Sequence, residues 1–484
     1  MNQEPLMMTE SSLLQLEQRN AKLAWGVLFG FFLFTALAIV GGAGKILNIS
    51  FPLASLVVGV FLYIKTPIMF MGFSWWMWFI SPFVRRLADF RSGFTDPSPI
   101  LMAPYLVGTI TIITFIKYAP KMSRDGSMTF VLPIVGITYG FLIGLVYDPR
   151  FAVFRELFDW IVPLLMGFHL FANWREFPTF YKNLQQTFVW GILVMGSYGI
   201  FQYMTGPEWD VLWLIDTGMV SANGYADKEL GAFAIRVFST MQSGEPFAAF
   251  MSAGLLMLLT TKSPIYLPAT IVGYLSFLLS LVRSGWLAWF GGLLTLFGFI
   301  KQGYQIRLVM GLLTLMLMLF PVVTMDAFSG DITDRLQTLN NVEEDNSAAG
   351  RKDAFQNNIG PALQQVIGVG IGGGARDNTT IAILYALGWS GTFLYVTGLV
   401  KAVMQVFTPS PAVDTVITGN IRAVMMTTLI RLPVNASLFG VSGALLWEFA
   451  GLGMAAQKYY ANQRDQELMY QFSLLDETSS EVAF

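Results

Sequence analysis

Four segments of the chain join an arginine or a carboxylate to a helix-start or turn signal. The first is Ile235-Arg236-Val237-Phe238-Ser239-Thr240, leading into Gly244-Glu245-Pro246-Phe247. Proline at the first helical position marks a helix start, where unpaired backbone amides and the positive dipole end favour an anion. Arg236 adds a planar donor fork suited to phosphate; the plain alternative is a rim charge on an amphipathic entry segment. The second is Leu281-Val282-Arg283-Ser284-Gly285-Trp286-Leu287, where Arg283 interrupts an apolar run. At about 36 residues, one helix would overshoot a ~30 Å hydrocarbon core, which predicts a tight turn at Arg283-Ser284-Gly285. An ionisable group there is a functional candidate or a snorkelling arginine, and Ser284 and Gly285 would let ligand oxygens approach the backbone.

The third segment holds Gly350-Arg351-Lys352-Asp353 and, further on, Gly368 to Gly374. No Gly-Lys-Ser/Thr follows these glycines and no βαβ unit precedes them, so a nucleotide phosphate loop is excluded. A flexible hinge in a loop capping a cavity is the expectation, with Arg351 reaching in. The fourth is Arg376-Asp377-Asn378-Thr379-Thr380, opening an apolar run. Asp377 suits a general base toward a hydroxyl, or an ordinary helix N-cap. The single histidine, His169, lies among Met166, Phe168, Leu170 and Phe171 and is expected to be packed or hydrogen-bonded inside the bundle.

The elements that must position these residues are membrane helices. Of 484 residues 54% are hydrophobic and 12% charged, against about 25% charged in soluble domains. The balance of 29 Lys+Arg and 31 Asp+Glu provides no basic field for nucleic acid. The absence of cysteine, with one histidine, removes thiolate chemistry, Fe–S clusters and multi-histidine metal centres, so no cofactor and no metal is expected. About fourteen apolar runs follow one another: 24–44, 46–64, 66–84, 99–116, 128–147, 153–172, 187–204, 246–260, 264–281, 284–300, 307–325, 379–400, 415–432 and 436–456.

The organisation read from this is an amphipathic cytoplasmic N-terminus (1–22), N-terminal spans (23–204), an outer loop (205–245), spans with the arginine turn (246–325), a long outer loop (326–378), C-terminal spans (379–456) and a cytoplasmic tail (457–484). The lysines and arginines of the intervening loops set this orientation. Arg85, Arg86 and Arg91 fall outside in the same count, which leaves a re-entrant early span or an outer cluster binding something anionic.

The run LSFLLSLVRSGWLAWFGGLLTLF resembles the signature of the O-antigen ligase and O-antigen polymerase family. Three more segments agree in order and spacing: IRVFSTMQSGEPFAAFMSAG, GRKDAFQNNIGPALQQVIGVGIGGG and DNTTIAILYALGWSGTFLYV, together covering about residues 230–400. The resemblance implies an all-α, polytopic transmembrane bundle, GT-C-like, with about 12–14 spans and a long extracytoplasmic loop. It implies a bacterial inner-membrane glycosyltransferase, inverting and metal-independent. Such an enzyme moves a glycan from a polyprenyl-pyrophosphate carrier to an acceptor glycan at the extracytoplasmic face, among membrane lipid and alongside a polysaccharide chain-length regulator. The family's arginines fall on Arg236, Arg283 and Arg351, the expected pyrophosphate-binding set. The chain departs from the ligases at Asp377, where they carry histidine, and at Gly244-Glu245-Pro246, which shifts weight to a polysaccharide polymerase. Asp377 or Glu245 is then the expected base for the acceptor hydroxyl. The competing class is a lipid-linked sugar flippase or an anion (bicarbonate-related) transporter, for which Arg155 and Asp159 are sparse charges within a span.

Overall fold

The computed structural model describes residues 10–121, 124–220, 235–306, 346–373, 378–409, 415–435 and 437–481, together with 309, 310, 312, 313 and 316. Among them there is no strand, and the protein is a helical membrane bundle. In chain order the helices used below are α1 (Glu10–Val40), α2 (Gly44–Lys65), α3 (Pro67–Ser92), α4 (Ala103–Thr109), α5 (Ile112–Tyr118), α6 (Arg124–Tyr147), α7 (Arg150–Ala172), α8 (Phe177–Thr205), α9 (Glu208–Asp216), α10 (Gly244–Leu258), α11 (Tyr266–Leu279), α12 (Arg283–Phe299), α13 (Asn346–Leu363), α14 (Thr379–Phe407), α15 (Val416–Arg431) and α16 (Gly440–Glu481). Among the described residues, six helical segments are long and apolar enough to cross a membrane: Gln18–Val40, Gly44–Lys65, Pro67–Ser92, Pro99–Lys121, Gly126–Tyr147 and Thr379–Phe407. The expected N-terminal amphipathic helix is continuous with the first of these.

Small residues decide where backbones meet, because lipid tails give apolar helices no hydrophobic reason to associate with one another. A methyl group at Gly451 of α16 would lie 1.9 Å from the Gly167 carbonyl oxygen of α7, so only hydrogen fits at this crossing. His169 sits two residues further along α7, 3% exposed, with Nδ1 2.7 Å from Thr114 Oγ1. It is packed and hydrogen-bonded inside the bundle, as its apolar neighbours predict.

Two sequence expectations are corrected by local geometry. The turn between α11 and α12 falls at Ser280-Leu281-Val282, where Leu281 takes a left-handed φ of 54°, and Arg283 already begins the helix. Gly285 faces α10, where a Cβ would meet that of Ala248 at 2.9 Å. Its smallness therefore serves helix packing and leaves no opening for a ligand.

The glycine run is likewise a packed strap and not a flexible hinge. Val369 N donates to Tyr385 O (2.7 Å), Ile371 N to Gly140 O (3.1 Å) and Trp389 N to Val366 O (3.0 Å). Gly372 N reaches Glu156 Oε2 at 3.1 Å. Ile371 is fully buried. A Cβ on Gly370 would stand 2.2 Å from the Gly144 amide nitrogen, and Gly368, Gly370 and Gly372 all have positive φ. The strap thus crosses between α6 and α14 where Gly388, at φ 59°, kinks α14 open.

Candidate functional site

Three of the four segments singled out in the sequence meet at one end of the bundle. Val237 N donates to Leu279 O at 3.1 Å, bringing the strand-like stretch that carries Arg236 against the turn that precedes Arg283. Glu245, in the first turn of α10 with Pro246 as the helix's third residue, then joins the arginine turn directly. Ser284 Oγ donates to Glu245 Oε1 at 3.3 Å.

A fourth element completes the cluster. Arg431, the last residue of α15 and 3% exposed, approaches Glu245 Oε2 through Nη2 at 2.5 Å and donates also to the Glu245 carbonyl oxygen at 3.2 Å. Asn435 Nδ2 donates to Glu245 Oε2 at 2.8 Å. Both carboxylate oxygens of Glu245 are therefore engaged by donors from α12, α15 and the segment after it. Neither Arg431 nor Asn435 was singled out in the sequence. The signal was a basic residue closing an apolar run shortly before Pro433.

The start of α14 is tied to this same segment. Asn378 is its N-cap, accepting from Thr380 N at 2.8 Å, and its side-chain amide donates to the Pro433 carbonyl. Thr379 Oγ1 donates to Asn435 O (2.6 Å) and accepts from Ser437 N (3.0 Å). The capping role weighed for position 377 thus belongs to Asn378. Asp377 itself lies outside the described residues. The side chain of Arg351 does so too, although its place in the second turn of α13 is described.

Two of the three early arginines, Arg85 and Arg86, find their anions within the chain. Arg86 Nη1 pairs with Asp210 Oδ1 at 2.7 Å, both side chains wholly buried, and Nη2 donates to Ser239 O at 2.6 Å. Asp210 also accepts from Tyr198 (2.8 Å) and Gln202 (2.7 Å), while Gln202 Oε1 accepts from the amides of Phe238 and Ser239 at 3.0 and 2.8 Å. Burial pushes the Asp210 carboxyl above its usual range, opposed by Arg86, Gln202 and Tyr198. Arg85 pairs with Asp89 (3.3 Å) and Asp96 (3.4 Å) and donates to Thr95 O (2.8 Å). These contacts put the end of α3 on the same end of the bundle as α9 and the turn at Ser239. They also clamp Ser239, whose φ of 53° turns the chain between Arg236 and Glu245.

Beside the Glu245 cluster opens a cavity of about 920 Å³ lined from α3, α4, α7, α10 and the segments flanking α15 and α16. Glu245, Arg431 and Asn435 form one wall, and Tyr105 and Asp159, hydrogen-bonded to each other, form part of another. Arg236 and Arg283 are not among its lining residues. Among the described residues no group of three or more histidine, aspartate or glutamate side chains is placed to hold a metal ion. Comparison with protein-family models, with curated proteins and with solved structures gives no match.

Proposed function

We propose that the protein is a membrane glycosyltransferase that moves a glycan from a polyprenyl-pyrophosphate carrier to an acceptor glycan at the extracytoplasmic face. It would be an inverting, O-antigen polymerase-like enzyme in a GT-C-like bundle of about 12–14 spans. The observation that carries this reading is the meeting of the Arg236, Glu245 and Arg283 segments beside the cavity. A departing pyrophosphate needs cations beside the reacting centre, and preorganised ones act without reorganisation as charge develops. In this reading Arg236, Arg283 and Arg351 hold the pyrophosphate, and Asp377 or Glu245 serves the acceptor hydroxyl. The bacterial inner membrane, the outer placement of 205–245 and 326–378, and a chain-length regulator as partner belong to the same proposal.

Deletion of the gene tests it: lipid-linked oligosaccharide should accumulate and polymer should vanish. Both should revert with the wild-type chain but not with Arg283→Ala, and transfer should persist in EDTA. Normal polymer in the deletion strain refutes the reading.

One observation favours carriage of a lipid-linked sugar or a small anion such as bicarbonate. Glu448 of α16 is wholly buried, its Oε2 accepting from Trp75 Nε1 at 2.8 Å and its Oε1 without a partner. Ionisable groups inside membrane helices mark transport pathways in many carriers. Uptake of bicarbonate or lipid-linked sugar into sealed vesicles, lost in Glu448→Gln, would establish that reading.

A further inference from the structure

We infer that the cavity beside Glu245 is a saccharide subsite, holding the glycan itself and not the pyrophosphate. The inference rests on the glycan-transfer reading for the identity of the glycan, while the chemistry of the cavity wall is its own evidence.

Charge comes first. Three carboxylates, Asp96, Asp159 and Glu245, line the cavity with three guanidinium groups, those of Arg85, Arg155 and Arg431. Arg85 is already paired with Asp96, and Arg431 with Glu245. A wall balanced in this way suits a neutral ligand rich in hydrogen-bonding groups, since a polyanion would meet as much repulsion as attraction. The pyrophosphate then belongs to the neighbouring surface, where Arg236 and Arg283 lie outside the cavity lining.

Unsatisfied polar atoms come second. Three lining residues keep a buried side-chain atom with no hydrogen-bond partner: Trp78 Nε1, Arg431 Nε and Ser437 Oγ, on residues 6%, 3% and 1% exposed. Buried donors are normally paired, and each exception calls for an explanation. A sugar hydroxyl both donates and accepts, so it suits a wall that carries hydrogen-bond donors together with the carboxylates of Asp96, Asp159 and Glu245.

Aromatic surface comes third. Trp78 and Tyr105 meet edge to face with ring centroids 4.8 Å apart. Tyr105 in turn donates its hydroxyl to Asp159 Oδ1, which fixes the carboxylate in the wall. An apolar ring face beside an oriented carboxylate matches a sugar ring, with C–H groups on one side and hydroxyls on its edge. The volume of about 920 Å³ falls toward the upper end of the roughly 300–1,000 Å³ range of small-molecule pockets, ample for a sugar ring.

The test uses the full chain in lipid nanodiscs and exploits its lack of cysteine. Ser442→Cys, in the cavity wall, is labelled with a maleimide in the presence of saccharides released by mild acid from the lipid-linked glycans of cells lacking the protein. The saccharides should slow labelling at least fivefold, and inorganic diphosphate should not. Asp159→Asn and Tyr105→Phe, the latter keeping the ring, should each remove the protection. Unchanged labelling with saccharide, or equal protection by diphosphate, overturns the subsite. Transfer of the intact lipid-linked glycan is measured in parallel. Transfer without protection removes the subsite and leaves the enzyme, whereas protection without transfer leaves the subsite and removes the enzyme.

Discussion

Glu245 and Arg431, 186 residues apart in the chain, close an ion pair at the edge of the cavity, and Asn435 shares the same carboxylate oxygen. The pair ties the first turn of α10 to the last residue of α15, and through Ser284 to the first turn of α12.

Arg431→Ala should therefore release Glu245 and let the α10 and α12 starts drift apart. The expected loss is about 30- to 1,000-fold in transfer rate, equivalent to ~2–4 kcal/mol. Arg431→Lys should recover only part: a single nitrogen, Nη2, makes both contacts to Glu245, and the shorter lysine side chain does not carry its ammonium as far. Combined with Glu245→Ala, the loss should be no larger than for Arg431→Ala alone, since the two act as a unit. Strictly additive losses in purified protein would refute the coupling.

The Arg86–Asp210 pair predicts a stability effect instead. With both side chains fully buried, Asp210→Ala leaves a bare guanidinium and should cost about 3–5 kcal/mol. Replacing both with apolar residues, Arg86→Met with Asp210→Leu, should restore much of it. Thermal unfolding in detergent reads this directly: a single substitution that leaves the unfolding midpoint unchanged contradicts the buried-pair account.

The kink of α14 gives a third expectation. A Cβ at Gly388 would lie 2.3 Å from the Ile367 carbonyl carbon at positive φ, so Gly388→Ala should expel the strap. A cysteine placed at Ile371, buried in the parent, should then become reactive to maleimide. Continued protection in the Gly388→Ala background would show that the strap does not depend on the kink.

Much of this architecture was legible before the structure. Among the described residues the apolar runs fall in helices, and the Pro246 and Asn378 signals mark two helix starts that adjoin one another, whereas the turn expected at Arg283 falls at residues 280–282. Arg431 and Asn435 were not legible as site residues, because a single sequence does not show which apolar run ends beside which. The same reason hid the partner of Arg86, 124 residues away. The glycine run misled because a strap threading a tight slot and a loose hinge have the same composition. Only the backbone of α6 and α14 closing around Gly370 and Gly388 separates them.

Asp377 is tested most cleanly by Asp377→Asn. Asn378 already caps α14, so the variant should fold as the parent does. If Asp377 is the base toward the acceptor hydroxyl, polymer synthesis should fall by about 10²- to 10⁴-fold. Full synthesis in a strain without the native copy would leave Glu245 as the remaining carboxylate of the sequence reading.

Glycan transfer itself is read in a reconstituted reaction. Purified full-length chain in nanodiscs is incubated with the polyprenyl-diphosphate oligosaccharides that accumulate in cells lacking it, and the products are resolved by mass. Glycans lengthened by whole donor units are expected, with one polyprenyl diphosphate released per unit added, and both lost in Arg283→Ala. Unaltered oligosaccharides with the wild-type chain, while the same preparation moves lipid-linked sugar or bicarbonate across sealed vesicles, would contradict it.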